Sequence, residues 1–144
     1  MRGEIQFKKA ISLLNQLYDK NYIVRGKKLS KNEVYNLYMS YLRKSAYSGF
    51  PEAQYELAQT YENINFWGIN PNYSPKKCIF WYKKACLNNF PSAFNNLAGF
   101  FENGEGIQQD INKALELYKK AGELGDSLGK KNYKILLKQI KNNS

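Results

Sequence analysis

The strongest constraint on this chain is that it repeats itself. Pro51-Glu52-Ala53-Gln54-Tyr55-Glu56-Leu57-Ala58 returns forty residues later as Pro91-Ser92-Ala93-Phe94-Asn95-Asn96-Leu97-Ala98. Trp81-Tyr82-Lys83-Lys84-Ala85 returns thirty-six residues later as Leu117-Tyr118-Lys119-Lys120-Ala121. A more divergent copy precedes both. Ala10-x3-Leu14-x3-Tyr18 parallels Ala53-x3-Leu57-x3-Tyr61 and Ala93-x3-Leu97-x3-Phe101, and Tyr41-Leu42-Arg43-Lys44-Ser45 parallels the Trp81 block. A unit of this length with two helices cannot bury its own apolar face, so copies must stack. The expected fold is all-α: a right-handed α-solenoid of about three antiparallel helix pairs with a C-terminal capping helix.

Helix start and stop signals divide the chain into units 5–50, 51–90 and 91–126, with the capping helix at 127–141. In the first helix of each unit, the i, i+4, i+8 spacing of Ala, Leu and an aromatic predicts one buried stripe. Each second helix has a start signal: the Ser30-x-x-Glu33 capping box, Ser74 followed by Pro75, and Asp110. Each ends at a residue that tolerates the left-handed conformation: Gly49, Asn89 and Gly125. The turns inside the units differ. Asn103 to Ile107 is tight, Asn21 to Leu29 is longer and basic, and Asn63 to Tyr73 carries four extra residues. That last segment holds Ile64, Phe66, Trp67, Ile69 and Tyr73. They are too apolar for an idle loop, so they either fold back over the stack or anchor a partner.

Composition narrows the chemistry. Among 144 residues there is no His, which removes the commonest general base and metal ligand. Nucleophilic systems built on His are excluded, and two Cys cannot form a structural zinc site without it. Cys78 and Cys86 fall eight apart in one predicted helix. That spacing is about 12 Å along the axis, too far for a disulfide. Packed reduced thiols are one reading; a reactive or lipid-modified thiol is the other. Residues 1–9 do not read as a secretion signal, and no run approaches the ~18 apolar residues of a membrane span. The expectation is a cytoplasmic protein with no membrane association and no cofactor.

The stretch from Ala93 to Asp126 resembles the Sel-1-like repeat, a relative of the tetratricopeptide repeat. The matching positions are Ala93, Leu97, Ala98, Phe101, Gly104, Gly106, Ile107, Asp110, Ala114, Leu117, Tyr118, Lys120, Ala121, Gly122 and Gly125. The middle unit matches at Ala53, Leu57, Ala58, Tyr61, Gly68, Ile69, Trp81, Tyr82, Lys84 and Ala85. The first unit departs from the pattern, with Tyr38 where Cys78 and Ala114 are small. The resemblance implies a non-enzymatic protein–protein interaction module. It also implies that the first helices line a concave face. In secreted cysteine-rich relatives a disulfide links consecutive units; Cys86 sits at one such position, but Phe94 occupies the other.

Carrying that register over gives candidate partner-binding residues. They are Lys9, Ser12, Gln16 and Asp19 in the first unit, and Glu52, Tyr55, Glu56, Gln59 and Glu62 in the second. Ser92, Asn95, Asn96, Gly99 and Glu102 follow in the third, then Lys131, Ile135 and Lys138 in the last helix. Trp67 of the insertion joins them as an aromatic anchor. The Asn95–Asn96 pair can offer amide donors and acceptors to a peptide backbone.

The net charge is +10, and it is unevenly placed. Residues 1–31 carry +6, residues 127–144 carry +5 and the centre carries −1. The expected picture is a near-neutral groove between two basic ends, part of that charge serving solubility. The expected partner is another protein, which could present an acidic surface. A sharper version is an immunity protein that neutralises a bacterial toxin domain by charge complementarity. A nucleic-acid-binding basic solenoid is the alternative, disfavoured because Lys far outnumbers Arg. Catalysis has little support: Glu52/Glu56 and Glu102/Glu105 pair only at ordinary helical spacing.

Overall fold

A computed structural model describes residues 1–65 and 68–144. Seven helices are seen among them: α1 (Arg2–Tyr18), α2 (Lys31–Tyr47), α3 (Pro51–Gln59), α4 (Pro75–Leu87), α5 (Pro91–Asn103), α6 (Ile111–Glu123) and α7 (Ser127–Asn142). Each packs on the next in sequence, and α5 also reaches α7. This is a helix-pair solenoid. The odd-numbered helices form one layer, called A here, and the even-numbered helices form the other, layer B.

The helix ends follow the chemistry of their side chains. Ser30 and Glu33 form a reciprocal capping box on α2. Ser74 and Asp110 each accept the backbone N–H three residues on. Asp126 does the same for α7, at 2.7 Å from the Gly129 nitrogen. Pro51 and Pro91 open α3 and α5, where a missing N–H costs nothing. Asn89, at φ 57, makes the left-handed exit that glycine makes after α2 and α6.

The core is built from small residues that let helices approach and aromatics that fill the gaps. Ala10, Ala53, Ala58, Ala85, Ala93, Ala98, Ala114 and Ala121 are all at or near zero exposure, and Tyr82, Leu42 and Leu57 are fully buried beside them. Polar side chains join consecutive elements. Ser45 donates to the Gly3 carbonyl at 2.6 Å. Buried Gln54 donates to the Ala46 carbonyl and accepts from Asn88, joining α2, α3 and the end of α4.

Two details differ from the sequence expectation. In α1 the buried stripe runs Ala10, Leu13 and Leu17, whereas Leu14 is half-buried and Tyr18 exposed. The i+3 and i+7 positions lie on the neighbouring side of the same helical face, and a bulky Tyr38 is buried where the later units hold small Cys78 and Ala114. In the second unit α3 stops at Gln59, so Tyr61 packs from a turn and not from the helix.

The two longer turns fold into small antiparallel hairpins, β1 (Ile23–Val24) with β2 (Lys27–Lys28), and β3 (Ile64–Asn65) with β4 (Gly68–Ile69). The base of the second is fixed: the Asn70 amide donates to the carbonyls of Thr60 and Glu62 at 2.7 and 2.9 Å. Its paired Ile64 and Ile69 nevertheless point outward, at 70% and 85% exposure. The insertion is thus held at its base while its two isoleucines stay exposed. Phe66 and Trp67, the anchor candidates, lie outside the described residues.

Candidate functional site: the layer-A face

Five of the expected binding residues, Tyr55, Gln59, Glu62, Asn95 and Asn96, join one polar ribbon. The Asn96 amide donates to Tyr82 Oη at 2.9 Å and to Tyr55 Oη at 3.4 Å. Gln59 donates to Tyr55 Oη at 3.3 Å, and the Tyr82 hydroxyl donates to Glu62. Asn95 donates to Asn96 Oδ1 and accepts from Asn132 of α7 at 2.9 Å. The ribbon therefore runs through α3, α4, α5 and α7 and joins two successive helix pairs to the C-terminal helix.

Glu62–Tyr82 has a counterpart one unit on, where Tyr118 Oη donates to Glu102 at 2.6 Å. Glu102 lies forty residues after Glu62 and Tyr118 thirty-six after Tyr82, the same offsets as the repeat itself. In the first unit the corresponding residues are Asp19 and Leu42. Leu42 has no hydroxyl to give, and Asp19 is exposed. The carboxylate–tyrosine pair is thus a feature of the second and third units. The sequence places Tyr82 and Tyr118 only as repeat positions and does not single out Asn132. Aligning Glu62 with Glu102 and Tyr82 with Tyr118 contained the signal for the pairs; nothing local marked Asn132.

Beside the ribbon is a cleft of about 370 Å³ whose lining includes Glu62, Ile64, Tyr73, Asn96, Gly99 and Glu105. The Tyr73 hydroxyl donates to Glu105 and closes one wall. Burial pushes the Glu62 carboxyl above the usual carboxylate range, and nearby Glu105 adds to this, although the Tyr82 hydrogen bond opposes it. Burial raises Glu56 as well. A carboxyl whose folded pKa is raised binds its proton more tightly folded than unfolded. Stability is therefore lost as pH rises from the unfolded pKa through the folded one. Glu62→Gln keeps an acceptor for Tyr82 and removes the charge. Its expected effect is a stability gain of up to about 1 kcal/mol at neutral pH, disappearing below pH 4. Chemical denaturation of both proteins across that range checks it.

The remaining candidates are placed elsewhere. Lys9, Ser12 and Gln16 line a separate cleft of about 380 Å³ with Val24, Arg25 and Tyr41. Gln16 is held there by donation to the Ile23 carbonyl at 3.2 Å. Ser92 donates to Asp126, Glu52 is half-buried, and Lys131, Ile135 and Lys138 are exposed on α7. Cys78 is buried and donates weakly to the Ala58 carbonyl; Cys86 is half-buried. Burial pushes both thiols up to about 12, the range of inert packed cysteines. Among the described residues there is no group of three or more metal-binding side chains, and no helix is long and apolar enough to cross a membrane.

The family model described as the Sel1 repeat matches residues 51–90 and 91–126, more than half of the chain. No curated protein is significantly similar in sequence. Among solved structures, the chain is similar to a Sel1 repeat protein from Oxalobacter formigenes, at 18% identity and a TM-score of 0.67, over 91% of this chain and 47% of that one. It is also similar to c5321, a protective antigen of uropathogenic Escherichia coli strains displaying an SLR fold, at 27% identity and a TM-score of 0.59 over 90% and 27%. Helicobacter pylori cysteine-rich protein B follows at 21% identity and a TM-score of 0.57, over 85% and 91%. The chain thus spans about half and about a quarter of the first two proteins.

Proposed function

The chain belongs to the Sel1 repeat family, generally a protein–protein interaction fold, and from that premise we propose that it is a non-catalytic module gripping an extended segment of a partner protein on its layer-A face. The observation that carries this reading is the cleft along the ribbon. Its floor is fixed by the hydrogen bonds of Asn96, Tyr82 and Glu62, so little ordering entropy is lost on binding. Its walls offer an apolar contact at Ile64 and acceptors at Glu62 and Glu105. No Lys or Arg occurs between residues 45 and 75 or between 85 and 112. The groove therefore suits a segment rich in hydrogen-bond donors.

Neutralisation of a bacterial toxin domain is the specific form of this reading. The two basic ends of the array, residues 1–31 and α7, support it by offering sites for acidic flanks of such a partner. A toxin gene beside this one would point the same way.

The test exploits Gly99, where an added Cβ would meet only the Tyr118 hydroxyl, at 3.9 Å. Gly99→Trp is expected to fill the cleft, leave the helical circular dichroism unchanged and weaken partner binding more than about tenfold. Affinity capture from the source organism, followed by titration of the captured protein, measures this. Equal binding by wild type and Gly99→Trp would remove the cleft from the reading.

A further inference from the structure

The near-zero charge of the central units hides a separation between the two layers. All nine Lys and Arg residues between 32 and 126 lie on α2, α4 and α6, which hold only three of the ten acidic residues of that stretch, Glu33, Glu116 and Glu123. All nine are exposed. Six of them recur as adjacent pairs at one position of the repeat: Arg43-Lys44, Lys83-Lys84 and Lys119-Lys120. None of the six has a carboxylate partner at salt-bridge distance among the described residues. Large apolar side chains stand on the same helices, with Tyr47 75%, Phe80 49% and Leu87 80% exposed. Tyr47 and Phe80 both pack edge-on against the buried Trp81, at 5.0 and 5.1 Å between ring centroids. Tyr47 and Phe80 are therefore held against the core while Leu87 stands free of it.

We propose that the exposed face of layer B docks on an anionic lipid bilayer. Rows of lysine are attracted to a negatively charged surface, and an exposed leucine and aromatics gain by entering its interface. A nucleic acid fits less well. The Lys84 ammonium sits 5.5 Å from the Phe80 ring centroid, on the face a base would stack against. Leu87 has no ring to offer. That no helix among the described residues can cross a membrane does not bear on this mode, which needs only adsorption. No residue lining the cleft lies on α2, α4 or α6, so the cleft stays open to a protein partner.

Flotation of the full chain with vesicles tests the proposal. Binding is expected to vesicles of phosphatidylcholine containing phosphatidylglycerol at low salt, and not to phosphatidylcholine alone. Lys83→Glu/Lys84→Glu should weaken it about tenfold or more. Lys131→Glu/Lys138→Glu changes net charge equally but lies on layer A, and should stay within about twofold. Leu87→Ser leaves the charge unchanged and should still weaken binding several-fold. Thermal denaturation shows that each variant is folded. No binding to the anionic vesicles would overturn the proposal, as would equal losses in the two double variants. Displacement by a single-stranded oligonucleotide with Leu87→Ser indistinguishable from wild type would assign the ridge to nucleic acid instead.

Discussion

Gly106→Val is expected to lower stability by roughly 3 kcal/mol, the larger part coming from collision and not from backbone strain. Gly106 has φ 67, where a β-branched residue is strained, and a Cβ placed there would lie 2.4 Å from Pro75 Cβ. Pro75 opens α4 of the preceding unit, so the tight turn of one unit rests on the helix start of another. Gly26→Val separates the two effects. Gly26 has φ 76 but nothing within 4 Å of the added carbon, so only strain remains, about 1–2 kcal/mol. For a chain of this size the Gly106 change should lower the melting temperature by about 6–12 °C. Equal losses at Gly26 and Gly106 would mean that the contact between units contributes nothing.

Tyr82→Phe should cost about 2–3 kcal/mol at neutral pH while leaving the ring packing intact. The hydroxyl is the donor to half-buried Glu62 and an acceptor for Asn96. Removing it leaves a charged carboxylate short of a donor, which is the expensive half of breaking a hydrogen bond. Because that bond also holds the Glu62 pKa down, its loss raises the folded pKa further. The cost should then shrink as the pH falls and Glu62 takes up a proton. In a Glu62→Gln background the same change should cost about 1 kcal/mol less, measured as a double-mutant cycle in urea. Additive losses would show that the two groups do not act together.

Most of the architecture was written in short-range chemistry. Ser30, Ser74, Asp110, Pro51, Pro91, Gly49, Asn89 and Gly125 act on backbone within a few residues, so their positions in sequence suffice to place helix ends. Spacing alone misplaced the α1 stripe, because choosing between Leu13 and Leu14 depends on what α2 presents to it. The site was legible as a face but not as a network. Tyr55, Glu62, Asn95, Asn96 and Glu102 hydrogen-bond to other helices, Gln59 bonds to Tyr55 within α3, and Gln16 sits in a separate cleft. Asn95 is 7% exposed, with both ends of its amide engaged, so it serves the stack before it can serve a partner.

The sequence by itself determined a stack of helix pairs, because the periodic small and aromatic residues can be buried in no other way, and it determined the exclusion of histidine chemistry. It also counted the central charge as close to zero. Only the tertiary structure decided where that charge goes. Alternate helices fall in opposite layers, so residues adjacent in a charge count end on opposite faces of the molecule. Of the central acids only Glu33, Glu116 and Glu123 lie on the layer-B helices, which hold all nine central Lys and Arg residues. Charge sums along the chain are blind to this, since the field a partner meets depends on which charges share a surface.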